Sequence, residues 1–203
     1  MAEIKRTALF GRLGTLAYKA MESATVLCKM RGNPYVELVH WLQQVLQYPD
    51  SDIHRIVKYS GLDPSRIAAD VTASLDKLPR GATAISDFSP HLEEAVERGL
   101  LYASLLYGEP RVRTGHMILG MLKTPGLRNV FTGISREFAK LKADDLSEDL
   151  PKIVQGSPAD SMAAQGGATA AIAAQPAEGG TSTPGIMGKQ EALARFSVDL
   201  TER

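Results

Sequence analysis

Gly32-Asn33-Pro34-Tyr35-Val36-Glu37-Leu38-Val39-His40-Trp41 is the stretch on which the reading of this chain turns. A shift of 76 residues lays it on Gly108-Glu109-Pro110-Arg111-Val112-Arg113-Thr114-Gly115-His116-Met117, matching Gly, Pro, Val and His in register. Further along, Leu46 meets Leu122 and Pro49 meets Pro125. Upstream, Ala20-Met21-Glu22 pairs with Ala95-Val96-Glu97 after a one-residue slip. Each half reads as a long helix, a Gly-x-Pro turn and a shorter apolar helix, an internal repeat of one supersecondary unit. Two such units, each with an apolar face to cover, should pack as one pseudo-two-fold helical domain.

The surrounding periodicity agrees. Leu9, Leu13, Leu16, Ala20, Ala24 and Leu27 recur at close to 3.6 residues, the mark of one helical face. Gly11 and Gly14 break that run, so the spacing predicts a short leading helix over 4–10 and a long one over 15–30, stopped by Gly32. Asn33-Pro34, Asp63-Pro64 and Ser89-Pro90 read as helix starts, with a capping side chain before a proline that lacks the orphan N–H. Helical spacing follows each: Leu38, Leu42, Val45; Ile67, Val71, Leu75; Leu92, Val96, Leu100, Ala103, Tyr107. A shorter helix around Ile53, Ile56 and Val57 closes at Gly61. Others are expected over 117–122, 127–134 and 136–150. No stretch alternates with period two, so the fold class is all-α.

The composition bounds the function. Of 203 residues, 44% are hydrophobic and 23% charged, ordinary for a globular chain. Lys plus Arg and Asp plus Glu number 23 each, so no global positive field gathers a polyanion, and nucleic acid is not an expected partner. Cys28 stands alone and cannot form an internal disulfide. Neither a signal peptide nor a membrane span is apparent, which points to the cytoplasm. Residues 1–155 form the expected domain, with repeats at about 15–80 and 90–150. From 156 to 187 Ala, Gly, Ser, Thr and Pro dominate, which predicts a flexible, disordered linker. Residues 188–203 regain helix-forming character, as if leading into something larger.

No constellation for chemistry emerges. His40, His54, His91 and His116 lack metal-ligand spacing, and His40 and His116, as repeat equivalents, read as hydrogen-bonded core histidines. Cys28 reads as a small buried hydrophobe. Glu93 and Glu94 suit the first turn of a helix. Gly185-Ile186-Met187-Gly188-Lys189-Gln190 misses the phosphate-loop pattern at its first glycine and at the Ser or Thr that holds magnesium. Catalytic site, metal site and nucleotide site are all expected to be absent. What remains is apolar surface: Ile4, Ala8, Leu9, Phe10 and Leu13 at the start, and Ile85 and Phe88 in the polar loop 82–89. These side chains either pin the terminus and loop to the core or border a groove for a partner helix, flanked by Arg12 and Lys19.

The repeat, with Gly32–Trp41 and Arg113-Thr114-Gly115-His116, resembles the Clp N-terminal repeat domain. Ala8-Leu9-Phe10-Gly11, Lys77-Leu78-Pro79-Arg80-Gly81, Glu93-Glu94-Ala95-Val96-Glu97-Arg98-Gly99 and Ser135-Arg136-Glu137-Phe138-Ala139-Lys140 look like the ClpV type of type VI secretion more than the ClpB disaggregases. Gly188-Lys189-Gln190-Glu191-Ala192-Leu193, with Phe196 and Asp199-Leu200-Thr201, resembles the entry to a first AAA+ module, which this chain does not include. The resemblance implies a recognition domain, not an enzyme by itself, with ATP and magnesium expected only in the missing modules. It implies a hexameric parent in a bacterial cytoplasm that disassembles contracted sheaths. It also implies, as partner, the N-terminal helix of the larger sheath protein, held in a groove involving the extra leading helix. The groove residues carried over are Leu9, Phe10, Leu13 and Leu16, with Phe88 and Leu92 as neighbours. A general ClpB-like domain that captures exposed hydrophobic segments is the alternative.

Overall fold

Two glycines with the same backbone set the frame. The computed structural model describes residues 5–162, so Ile4, the linker beyond Met162 and the segment 188–203 lie outside the described residues. Gly32 (φ 66°) and Gly108 (φ 65°) end the two long helices, α2 (Thr15–Arg31) and α6 (Pro90–Tyr107), in the left-handed conformation that a side chain disfavours. After Gly32 the chain enters β1 (Tyr35–Val36), which pairs in parallel with β2 (Asp87–Phe88) just ahead of α6. After Gly108 it reaches Val112, which bridges in parallel to Leu13 just ahead of α2. The Ser89 amide donates to the Val36 carbonyl at 2.9 Å, and the Gly14 amide donates to that of Val112 at 2.8 Å. Each long helix thus starts at a joint made by the turn that ends the other. That is the physical form of the duplication.

The second helix of each half, α3 (Leu38–Leu46) and α7 (Thr114–Lys123), opens in the same way. The Glu37 amide donates to His40 Nδ1 at 2.9 Å and the Arg113 amide to His116 Nδ1 at 3.1 Å. A histidine at the third helical position here satisfies the flanking amide that an acidic side chain satisfies in a capping box. The helix expected to start at Pro34 therefore starts four residues later. Asn33 does not cap it, because its side chain donates to the Pro79 carbonyl at 2.6 Å and meets His40 Nε2 at 2.9 Å.

The other proline starts hold. In α5 (Pro64–Asp76) the Asp63 carboxylate accepts from the Ser65 and Arg66 amides, and in α6 Ser89 accepts from Leu92. Helix α4 (Asp52–Tyr59) precedes α5, and α8 (Pro125–Ile134) follows α7. The helix expected over 136–150 is instead a 3-10 turn (Arg136–Lys140) followed by α9 (Ala143–Val154). Leu141 adopts an extended backbone between them and is buried, and Asp144 and Asp145 begin α9, where negative charge favours the helix dipole. Pro151 lies inside α9 and cannot donate to the Ser147 carbonyl one turn back. The Tyr107 hydroxyl donates to that carbonyl at 2.7 Å and replaces the missing bond.

The core runs through both halves and includes Ala20, Ala24, Trp41, Leu42, Val96, Met117 and Phe131. Phe131 stacks on Phe138 with centroids 4.0 Å apart, clamping α8 to the 3-10 turn. Residues 156–162, expected as the start of the linker, are folded: Ser157 is buried and residues 158–162 are helical. The cause is a set of polar and charged contacts with α4 and with Arg113, the residue just before α7, treated below. Among the described residues, no helix is long and apolar enough to cross a membrane.

Candidate partner-binding site

Helix α1 (Arg6–Phe10) has five residues, too few to persist without tertiary contacts. Leu9 and Phe10 supply those contacts, being 4% and 5% exposed. The Phe10 ring meets Phe88 edge-on, with centroids 5.1 Å apart and an interplanar angle of 77°, a favoured aromatic geometry. Arg6 donates to Asp87 at 2.6 Å, pairs with Glu93 and sits 5.8 Å over the Phe88 ring. Burial raises the Glu93 carboxyl above its usual range, Arg6 opposes that shift, and Asp87 adds to it. At the far end, Arg111 donates to the Gly11 carbonyl at 2.8 Å, and Leu13 joins the bridge to Val112. Helix α1 is therefore fastened near both ends of α6.

The structure brings Leu9, Phe10, Leu13, Phe88 and Leu92 into one continuous core; Leu16 is buried as well, outside that cluster. None of the six is more than 8% exposed, so none lines an open furrow in this conformation. Their immediate work is to seat α1 and close the first joint.

The open apolar surface lies elsewhere. Leu101, Leu105 and Leu106 on α6 and Val26 and Met30 on α2 are exposed, Met30 and Leu105 at 80% and 79%. Leu101 and Leu105 share the outer face of α6 with Glu94 and Arg98, which pair at 3.7 Å. Sequence reading passed over them, although a signal was present: they are out of phase with the inward stripe Leu92, Val96, Ala103. The flanking Arg12 and Lys19 are exposed.

Of the titratable groups named from the sequence, His40, His116 and Cys28 are buried in the framework, His54 is half-buried and His91 is exposed. Burial, with Arg31 adding, pushes His40 down to about 4; burial, with Arg113 adding, does the same to His116. Both are neutral near pH 7. Burial pushes the Cys28 thiol up to about 11, and it donates to the Asn33 and Tyr35 carbonyls. Among the described residues, no three His, Cys, Asp or Glu side chains gather as a metal site. A cleft of about 290 Å³ between α5 and α8 is lined by Arg66, Asp70, Lys77 and Arg136 and contains none of the six residues.

Comparison with known proteins fits this architecture. Residues 13–132 match the family model "Clp repeat (R) N-terminal domain". The match opens at the Leu13 joint, so α1 stands ahead of the shared repeat. The AAA+ ATPase ClpV1 of Pseudomonas aeruginosa is 58% identical over 203 residues, covering 100% of this chain and 22% of that protein. Chaperone protein ClpB of Yersinia enterocolitica is 42% identical over 199 residues, covering 98% and 22%. The chain thus spans about a fifth of the length of these relatives. A solved structure from a study of coevolution among the ATPase ClpV, the TssB-TssC sheath and the accessory HsiE protein is 61% identical, with a TM-score of 0.75 over 78% of this chain and 98% of that one. A complex of ClpV N-domain with VipB peptide is 25% identical, with a TM-score of 0.68 over 78% and 96%. The doubled joint and the added leading helix take their place in that setting: the chain belongs to the Clp repeat N-terminal domain family, in its ClpV-type form.

Proposed function

We propose that this domain is the substrate-recognition end of a ClpV-like unfoldase, and that it takes a helix from the N-terminal part of the larger type VI sheath protein. In the full-length hexamer the AAA+ modules, with ATP and magnesium, then drive disassembly of contracted sheaths. The observation that supports this best is the likeness to a ClpV N-domain solved with VipB peptide, joined to 61% identity with a structure from the ClpV and sheath study. Helix α1, ahead of the matched stretch 13–132, is in our reading the element that takes part in this recognition.

The buried seat of α1 constrains how such a helix binds. Leu9, Phe10, Leu13 and Leu16 on one side and Phe88 and Leu92 on the other have no apolar surface to offer while α1 is down. In our reading α1 shifts off Phe88, the partner helix enters between α1 and α6, and its apolar face takes the place of the contacts α1 gives up. Displacing Leu9 and Phe10 from burial costs about 3–6 kcal/mol in total, which a helix with several apolar anchors can offset.

A fluorescent peptide carrying the N-terminal helix of the sheath protein tests this by anisotropy against wild type, Phe10→Ala and Leu105→Ala. We expect Phe10→Ala to bind at least about tenfold more weakly with its helical circular dichroism retained, and Leu105→Ala to bind as wild type. Equal affinity for wild type and Phe10→Ala removes α1 from the site, and no binding by wild type removes the peptide as partner. The ClpB relative at 42% identity favours a second reading, capture of exposed hydrophobic segments in general. In that case an unfolded model protein competes with the peptide as well as unlabelled peptide does.

A further inference from the structure

The chain beyond α9 is held by charge rather than by apolar burial. Leu146, Leu150 and Val154 anchor α9 in the core. After Val154 the character of the contacts changes: Gln155, Gly156 and Ser161 are exposed, and what holds the segment is polar. Arg55 donates to the carbonyls of Gln155 and, at 2.9 Å, Gly156. Arg113 pairs with Asp160 and donates to Ser157 Oγ at 2.8 Å. Ser157 Oγ in turn donates to Asp52 Oδ1 at 2.7 Å, and Asp160 folds back to accept from the Gly156 amide at 2.6 Å. At the end, Thr15 Oγ1 at the start of α2 lies 3.4 Å from the Met162 carbonyl.

The two arginines would not be left unpaired if this segment let go. Arg113 keeps Asp52 through two bonds of 3.0 and 3.2 Å, and Asp52 also keeps the Gly115 amide. Arg55 keeps Asp50 at 2.6 and 3.1 Å. Asp160, whose side chain is 40% exposed, returns to water at little cost. A buried ion pair whose partner leaves is strongly destabilising, but here Asp52 and Arg113 stay together.

We propose that residues 155–162 are a charge-held strap that opens as a unit while α9 stays docked. When closed, it roots whatever follows Met162 beside the Leu13–Val112 joint, at the same end of α2 as α1. When open, it adds roughly eight residues of free chain, up to about 27 Å of extra reach. The strap goes beyond the proposed function and stands on its own contacts, whichever partner the domain takes.

Amide hydrogen exchange on the full 203-residue chain tests it, comparing wild type with Asp160→Asn in 0.05 and 0.5 M salt. The informative amides are Gly156, Ser157 and Asp160, each of which donates within the strap or back to Val154. In wild type we expect all three to be protected, and in Asp160→Asn to exchange at least about tenfold faster, since charge-assisted bonds are the stronger ones. Salt should act in the same direction, and the α9 amides should not change. The proposal is overturned if wild-type strap amides exchange at free-coil rates, if Asp160→Asn leaves them as slow as before, or if α9 loosens in step with the strap.

Discussion

Substituting Gly120 by alanine should destabilise the domain, although alanine is the better helix former. Helices α6 and α7 cross with their backbones in close approach at two glycines. A Cβ on Gly120 would lie 2.8 Å from Arg98 Cβ, 2.9 Å from the Arg98 carbonyl carbon and 3.0 Å from the Gly99 amide nitrogen. A Cβ on Gly99 would lie 2.8 Å from Val112 Cγ1 and 2.9 Å from Met117 Cγ. Two of the three Gly120 contacts are with backbone, so no rotamer change relieves them and α7 must move outward. That shift disturbs Met117, Ile118 and Met121, all buried. Overpacking of this kind costs about 1–3 kcal/mol, and contact with backbone places it at the upper end. The propensity gain of Gly to Ala returns about 1 kcal/mol. The net loss is about 1–2 kcal/mol, which at a slope of about 2 kcal/mol per molar urea lowers the midpoint by about 0.5–1 M. Urea titration followed by circular dichroism reads this directly. Gly133→Ala in α8 is the control: nothing lies within 4 Å of its Cβ, so the same change should raise stability by up to about 1 kcal/mol. A Gly120→Ala midpoint at or above wild type, or a Gly133→Ala midpoint that falls as far, refutes the reasoning.

Stability should fall in acid below neutrality. His40 and His116 are pushed down to about 4 in the folded chain, whereas an unfolded histidine titrates near 6.5. The unfolded state therefore binds these protons first. The contribution is complete above pH 6.5 and is lost between about 6.5 and 4, by up to about 3 kcal/mol per histidine; urea midpoints that stay level from pH 7 to 4.5 contradict a buried neutral pair. Cys28 should resist thiol reagents in the native state. With its thiol raised to about 11, the thiolate population at pH 7.5 is about 300-fold below that of a free cysteine, and burial slows access further. Labelling in 6 M urea should be rapid, and equally fast labelling of the folded chain would place Cys28 at the surface.

Local chemistry was legible in the sequence where a residue acts on its own neighbours. Asp63 and Ser89 cap the helices that follow them because the amides they satisfy lie within three residues. Gly32 and Gly108 were recognisable as equivalents because each ends its helix in the same backbone conformation. Asn33 carries the same local signal as Asp63, yet Pro79 and His40 claim its side chain, and helix start gives way to β1. The same holds at the other end of the domain. Gly156-Ser157-Pro158-Ala159-Asp160 has the composition of a linker, but Asp52 and Arg113, 105 and 47 residues away, hold it in place. The candidate site divides along this line too. An excess of apolar residues near the amino end shows that something must cover them, but not what does. Here the cover is Phe88, brought by the β1–β2 joint to the edge of Phe10. Spacing alone does distinguish inward from outward leucines on a single helix. On α6, Leu92 and Leu101 are nine residues apart and half a turn out of phase, and only the first is buried. A partner that binds an apolar face without moving α1 has the out-of-phase leucines of α6 and the exposed Val26 and Met30 of α2 to use, and one that reaches Phe10 must first displace it from Phe88.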